Sequence, residues 1–92
     1  MNRTAPGRLR ISGSWIMPTL DQLVRGNVAI ISAVNGDDVV VQRLMEMGLL
    51  EGTRIELIGF APLGDPLEIR VGDYRLSLRR SEAARVRVRL MN

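Results

Sequence analysis

Apolar residues along this chain change their spacing several times, and each change marks an element. Residues 1–17 mix Asn, Arg, Thr, Pro, Gly and Ser with isolated apolar residues and show no period that would bury a face, which reads as a flexible tail. Trp15, Ile16 and Met17 either pack back onto the domain or stay outside it. Pro18 to Leu23 fits a single helical turn, with Leu20 and Leu23 on one face. Asn27 to Val34 is a run of β-branched and small apolar residues, as in the centre of a sheet. Asn35-Gly36-Asp37-Asp38 breaks it, and Asp37 or Asp38 can cap the helix predicted over Val39–Met47. That helix turns Val40, Val41, Leu44, Met45 and Met47 inward and Gln42, Arg43 and Glu46 outward. Gly48 is its expected C-cap, with Leu49 folding back onto the last turn.

Beyond Glu51-Gly52 the period becomes two. Ile55 and Leu57 alternate with Arg54 and Glu56, then Leu67, Ile69 and Val71 with Glu68 and Arg70, then Tyr74, Leu76 and Leu78 with Arg75, Ser77 and Arg79. Gly72-Asp73 leaves room for only a two-residue hairpin turn. Ser81 to Ala84 predicts one helical turn capped by Ser81. Val86, Val88 and Leu90, alternating with Arg85, Arg87 and Arg89, form the last strand. Five short strands with one exposed face each favour a curled sheet at this size. The reading is mainly β: a small five-stranded SH3-like barrel with one inserted α-helix and short helical turns, over residues 18–92. An OB barrel is the alternative, but its helix normally lies between the third and fourth strands, not after the first.

Composition narrows the chemistry. A chain of 92 residues makes one domain with one modest core. Cysteine and histidine are both absent, which removes disulfides, thiolates, imidazole bases and the usual ligands of transition metals. No apolar run approaches the roughly 20 residues that span a bilayer, and no signal-peptide core follows Arg3, Arg8 and Arg10. A cytoplasmic protein that is not embedded in the membrane is expected. The net charge of +3 is carried entirely by arginine. Three arginines and no acids precede Pro18, whereas ten arginines face ten acids from there on. The basic balance is therefore a property of the tail.

Few residues suit catalysis. Asp37 with Asp38 reads as a helix cap more readily than as a carboxylate pair. Asp65, between Gly64 and Pro66, either binds a cation or hydrogen-bonds its own turn, and the turn is favoured. The serines have no base to activate them, and the glycines from Gly59 to Gly64 lack the ending of a phosphate loop. Arg85, Arg87 and Arg89, with Arg79 and Arg80, form either a stripe for phosphate or an acidic partner, or a solvated edge paired with Glu56 or Glu68. With Tyr74 inward and few aromatics, base stacking finds little support. Leu49, Leu50, Ile58, Phe60, Ala61, Pro62 and Leu63 exceed what one inward face can bury, so Leu50 and Leu63 should reach the surface. They either close one end of the barrel or form a docking patch.

Leu44-Met45-Glu46-Met47-Gly48-Leu49 with Gly52-Thr53, Ala61-Pro62-Leu63-Gly64-Asp65-Pro66, Val71-Gly72 with Tyr74, and Leu76-Ser77-Leu78-Arg79 leading to Ala83 or Ala84 resemble the FeoA family. These are small accessory proteins of bacterial ferrous-iron uptake. The likeness runs over most of residues 18–90; Glu51 stands where the family commonly has proline. It implies an SH3-like domain without enzymatic activity or cofactor that docks on the cytoplasmic side of the membrane GTPase transporter FeoB. Carried over by motif, the docking residues are Leu49, Leu50, Ala61, Pro62, Leu63, Gly64 and Asp65. Neither a small-molecule substrate nor nucleic acid is expected as a partner, and an exposed edge strand or Leu50 allows weak self-association. The competing readings are a nucleic-acid-binding barrel using Arg85, Arg87 and Arg89, and a metal-responsive module using Asp65.

Overall fold

Side-chain alternation in five strands sets the architecture, because each strand turns one row of apolar residues to a shared core. The computed structural model describes residues 9–11, 14–16 and 18–92. Along them run β1 (Leu9–Ile11), β2 (Ser14–Ile16), a 3₁₀ turn (Leu20–Gln22), β3 (Val28–Val34), α1 (Val39–Glu46), β4 (Arg54–Phe60), β5 (Leu67–Val71), β6 (Tyr74–Leu78), α2 (Arg80–Ala83) and β7 (Val86–Leu90). Within the segment read as a tail, β1 and β2 pair antiparallel, Leu9 opposite Ile16. The rest of that segment lies outside the described residues.

The main sheet is antiparallel, in the order β6-β5-β4-β3-β7. The β-branched run β3 is an interior strand, paired with β4 at Val28–Ile30 and with β7 from Ala29 to Val34. Register shifts between Ile31 and Ala33 in β3, and between Leu57 and Gly59 in β4, bend the sheet around its apolar face. This is the SH3-like fold expected, although hydrogen bonding leaves the sheet open between β6 and β7. The 3₁₀ turn packs against both α2 and β7 beside that opening.

The core joins Ile31, Ile55, Leu57, Leu67, Ile69, Leu78, Val86 and Val88 from the sheet to Leu20, Leu44 and Leu49 from the turn and helix corner. Each such side chain contributes roughly 1.5–3 kcal/mol when fully buried. No polar or charged side chain is buried among the described residues. Three local expectations change. Met45 is 46% exposed and so leaves the buried face of α1, which rests on Val41 and Leu44. Tyr74 is not inward: it is 45% exposed, because β6 is an edge strand and its first residue has no outer neighbour to cover it. Ser81 does not cap α2, which starts one residue earlier; the Arg79 N–H is instead satisfied by Glu82 Oε1 at 3.0 Å.

Candidate functional site

The two groups of predicted docking residues lie at opposite ends of β4. At its start, α1 must stop and turn the chain back into the sheet. Asp38 opens the helix, accepting from the Val41 N–H at 3.2 Å. At the other end Gly48 has φ +99°, its N–H donates to the Met45 carbonyl at 3.0 Å, and the Leu49 N–H donates to the Leu44 carbonyl at 3.1 Å. This pair of bonds satisfies helix-end carbonyls and brings Leu49 back onto Leu44. Tyr74 then seals the corner, its hydroxyl donating to the Met47 carbonyl at 2.6 Å. A Cβ on Gly48 would lie 2.4 Å from that hydroxyl.

This geometry divides the two leucines. Leu49 is fully buried in the core, so its side chain cannot meet a partner, a correction to its place among the docking residues. Leu50 is 45% exposed and lies beside Gly48, its N–H donating to the Gly48 carbonyl at 3.0 Å. Half-exposed Tyr74 belongs to the same corner. Sequence reasoning missed it; the available signal was its position first after a hairpin turn. The neighbouring acids Glu46, Glu51 and Asp73 make no ion pair among the described residues.

At the far end of β4, Ala61 to Pro66 forms a closed loop. The Ala61 N–H donates to the Pro66 carbonyl at 2.9 Å, and the Gly64 N–H to the Ala61 carbonyl at 2.7 Å. Asp65 does not hydrogen-bond its own turn. Its Oδ1 accepts from the Arg80 N–H at 3.0 Å, satisfying the first amide of α2, while the Arg80 guanidinium donates to the Gly64 carbonyl at 3.1 Å. That guanidinium also sits 5.0 Å from the centre of the Phe60 ring. The loop backbone is thus anchored while Pro62 and Leu63 point outward. Leu63 is 95% exposed, Ala61 is half-buried, and Leu50 and Leu63 both reach the surface as expected. A strand of β4's length is about 20 Å long, so two separate small surfaces result rather than one patch.

The arginine stripe is also redrawn. Arg85 leaves it, because its Nη1 reaches both oxygens of Asp38 at 2.7 and 2.8 Å. The Arg85 hydrogen bond, and then the Val41 amide, hold the Asp38 carboxyl below its ordinary pKa. Glu56 and Glu68 pair with Arg70 and Arg75 rather than with β7. Arg43 pairs with Glu82, tying α1 to α2. Among the described residues no three of Asp and Glu converge as a metal-binding group, and Asp65 is already engaged by Arg80.

Comparison with known proteins decides the family. The model of the FeoA domain matches residues 19–90, that is, the whole of the main sheet and both helices. The chain belongs to the FeoA family. Over 73 residues it is 41% identical to the Fe(2+) transport protein A/Fe(2+) transporter FeoB fusion protein of Porphyromonas gingivalis, a match that takes in 79% of this chain and 9% of that one. The FeoA-like protein of Clostridium acetobutylicum is 32% identical with a TM-score of 0.76, over 80% of this chain and 86% of that one. FeoA of Stenotrophomonas maltophilia, described as a prokaryotic SH3 domain protein and solved with zinc, is 35% identical with a TM-score of 0.68, over 77% of this chain and 88% of that one. FeoA membership links the chain to ferrous-iron transport.

Proposed function

We propose that this chain is a non-enzymatic, cytoplasmic accessory protein of ferrous-iron uptake that docks on the cytoplasmic part of a FeoB-like membrane GTPase transporter. The observation that carries this reading is the relative in which an FeoA region and FeoB form one polypeptide, since fusion is favoured where two domains work side by side. FeoA of S. maltophilia has itself been put forward as a ferrous iron transport activating factor. No helix among the described residues is long and apolar enough to cross a membrane, so contact with a transporter would be made from its surface.

Docking uses the exposed apolar side chains at the two ends of β4: Leu50, with Tyr74, at the helix corner, and Pro62 with Leu63 on the loop that Gly64 and Asp65 anchor. Small apolar anchors held on a fixed backbone lose little entropy on binding, which suits them to carry much of an interface's energy. Leu49 and Ala61 support these surfaces from beneath. The test is titration of isotope-labelled protein with its cognate FeoB in detergent, with GTP and with GDP. Amide shifts are expected around Leu50 and Leu63, and Leu50→Glu and Leu63→Glu should each weaken binding by about tenfold or more while leaving the fold intact. Undiminished affinity in both variants would reject these surfaces, and an untouched spectrum with either nucleotide would reject direct docking.

A further inference from the structure

The outward face of the main sheet is electrostatically divided. From Glu56 in β4 outward its charges are matched across strands, Arg70 in β5 with Glu56, which stands opposite Val28, and Arg75 in β6 with Glu68 in β5. On the other half they are not. Ile30 in β3 stands directly opposite Arg54 on one side and Arg89 on the other. Arg87 lies two residues before Arg89 on the same face of β7. These three arginines are exposed and make no ion pair among the described residues. Arg54 and Arg89 are two strand spacings apart, about 10 Å.

Apolar side chains fill the space between and beside them. Ile30 and Val28 are half-buried on this face, and Met91, which continues the outward alternation of β7 and whose N–H donates to the Val28 carbonyl at 2.8 Å, is 52% exposed. The segment before Pro18, with Arg3, Arg8, Arg10 and no acid, joins the fold at this same border: the Pro18 carbonyl accepts from the Val88 N–H at 3.0 Å and Thr19 bridges Arg87. The three unpaired arginines of the sheet face thus lie close to the point where a segment carrying three further arginines and no acid enters the fold.

We propose that this face, Arg54, Arg87 and Arg89 around Ile30, Val28 and Met91, binds the surface of an anionic lipid bilayer. Arginines spread across the width of three strands of a sheet face match a planar array of phosphates. The apolar residues of that face can enter the boundary between headgroups and acyl chains, which a phosphate polymer does not provide. A nucleic acid would call for aromatic platforms, and among the described residues none lies between these arginines. The inference stands apart from docking on a transporter, since it needs lipid alone.

The test is sedimentation of the full chain with protein-free vesicles containing about 30% phosphatidylglycerol in phosphatidylcholine, against pure phosphatidylcholine. Binding is expected to the anionic vesicles only, and to fall as salt shortens the screening length. The triple variant Arg54→Gln, Arg87→Gln, Arg89→Gln should bind about 10- to 100-fold more weakly. The charge-matched control Arg43→Gln, Arg70→Gln, Arg75→Gln should retain most of its binding, and Met91→Asp should weaken binding without removing arginine. Equal loss in the two triple variants would overturn the assignment to this face, as would loss only with Arg3, Arg8 and Arg10 changed to Gln. Absence of vesicle binding, with a duplex oligonucleotide or polyaspartate bound through the same three arginines, would assign the face to another class of partner and overturn the lipid proposal.

Discussion

The two ends of β4 present leucines in contrasting ways. At the start of the strand, Leu50 is half-covered on a corner whose helix end, positive-φ glycine and tyrosine cap are interlocked. At its end, Leu63 stands almost free on a loop held through main-chain atoms by Asp65 and Arg80. The corner's geometry comes from the same bonds that complete the core, so changing it disturbs folding. The loop's geometry is imposed from α2, so its tip can vary with little effect on stability. One surface is costly to alter and the other is not, a difference that bears directly on how binding and folding can be separated by mutation.

Gly48→Ala should break the corner most severely. Alanine at φ +99° carries a left-handed penalty of about 1–2 kcal/mol. Its Cβ would also displace the Tyr74 hydroxyl from the Met47 carbonyl, forfeiting a hydrogen bond worth about 1 kcal/mol. The expected loss is about 2–3 kcal/mol in denaturant unfolding. Tyr74→Phe alone should cost about 1 kcal/mol, since the ring stays and only the hydroxyl's bond is lost. The double variant should then cost less than the sum of the two, because in the Phe background the alanine meets no hydroxyl. Full additivity would show that Gly48 and Tyr74 act independently.

Much of this contrast was legible in the sequence. Gly48 between Met47 and Leu49 announced the helix end, and the alternation from Ile55 to Leu78 announced three strands and the Gly72-Asp73 turn, where Gly72 has φ +57°. Strand position was not legible. Tyr74 shares its alternation with Leu76 and Leu78, so periodicity turns it inward; only the sheet order, with β6 at an edge, shows why it stays half-exposed. The two leucines at 49 and 50 looked equivalent until the bond from the Leu49 amide to Leu44 assigned one to the core. Long-range charge pairing was hidden for the same reason: nothing local says that Arg85 meets Asp38, or that Asp65 reaches the first amide of α2.

Asp65→Ala probes the opposite end and should have a smaller effect. It removes one exposed side-chain cap, worth about 0.5–1 kcal/mol, while the core beneath remains unchanged. Hydrogen exchange at the Gly64 amide should nevertheless accelerate more than global stability falls, because the loop loses one of its two links to α2 and keeps only the Arg80 guanidinium on the Gly64 carbonyl. If exchange there follows only the global change, the loop is part of the same cooperative unit as the corner, and the contrast between the two ends disappears.

The N-terminal end of α1 supplies the mildest test, through pH. Asp38 caps the helix while both of its oxygens accept from Arg85, and these bonds keep its pKa below that of an unfolded aspartate. A depressed carboxylate favours the folded state wherever both forms are ionised, so the contribution is complete above about pH 4 and is lost as pH falls through the lowered folded value. Acid titration of stability should therefore show a decline below about pH 4 that Arg85→Gln makes shallower, since that substitution removes the main cause of the depression. Asp38→Asn should flatten the same limb while retaining much of the cap, because an amide oxygen can still accept from Val41. An acid limb that keeps its slope in both variants would mean that the Asp38–Arg85 pair adds nothing to folding, leaving the glycine and tyrosine at the far end of α1 to fix the helix by themselves.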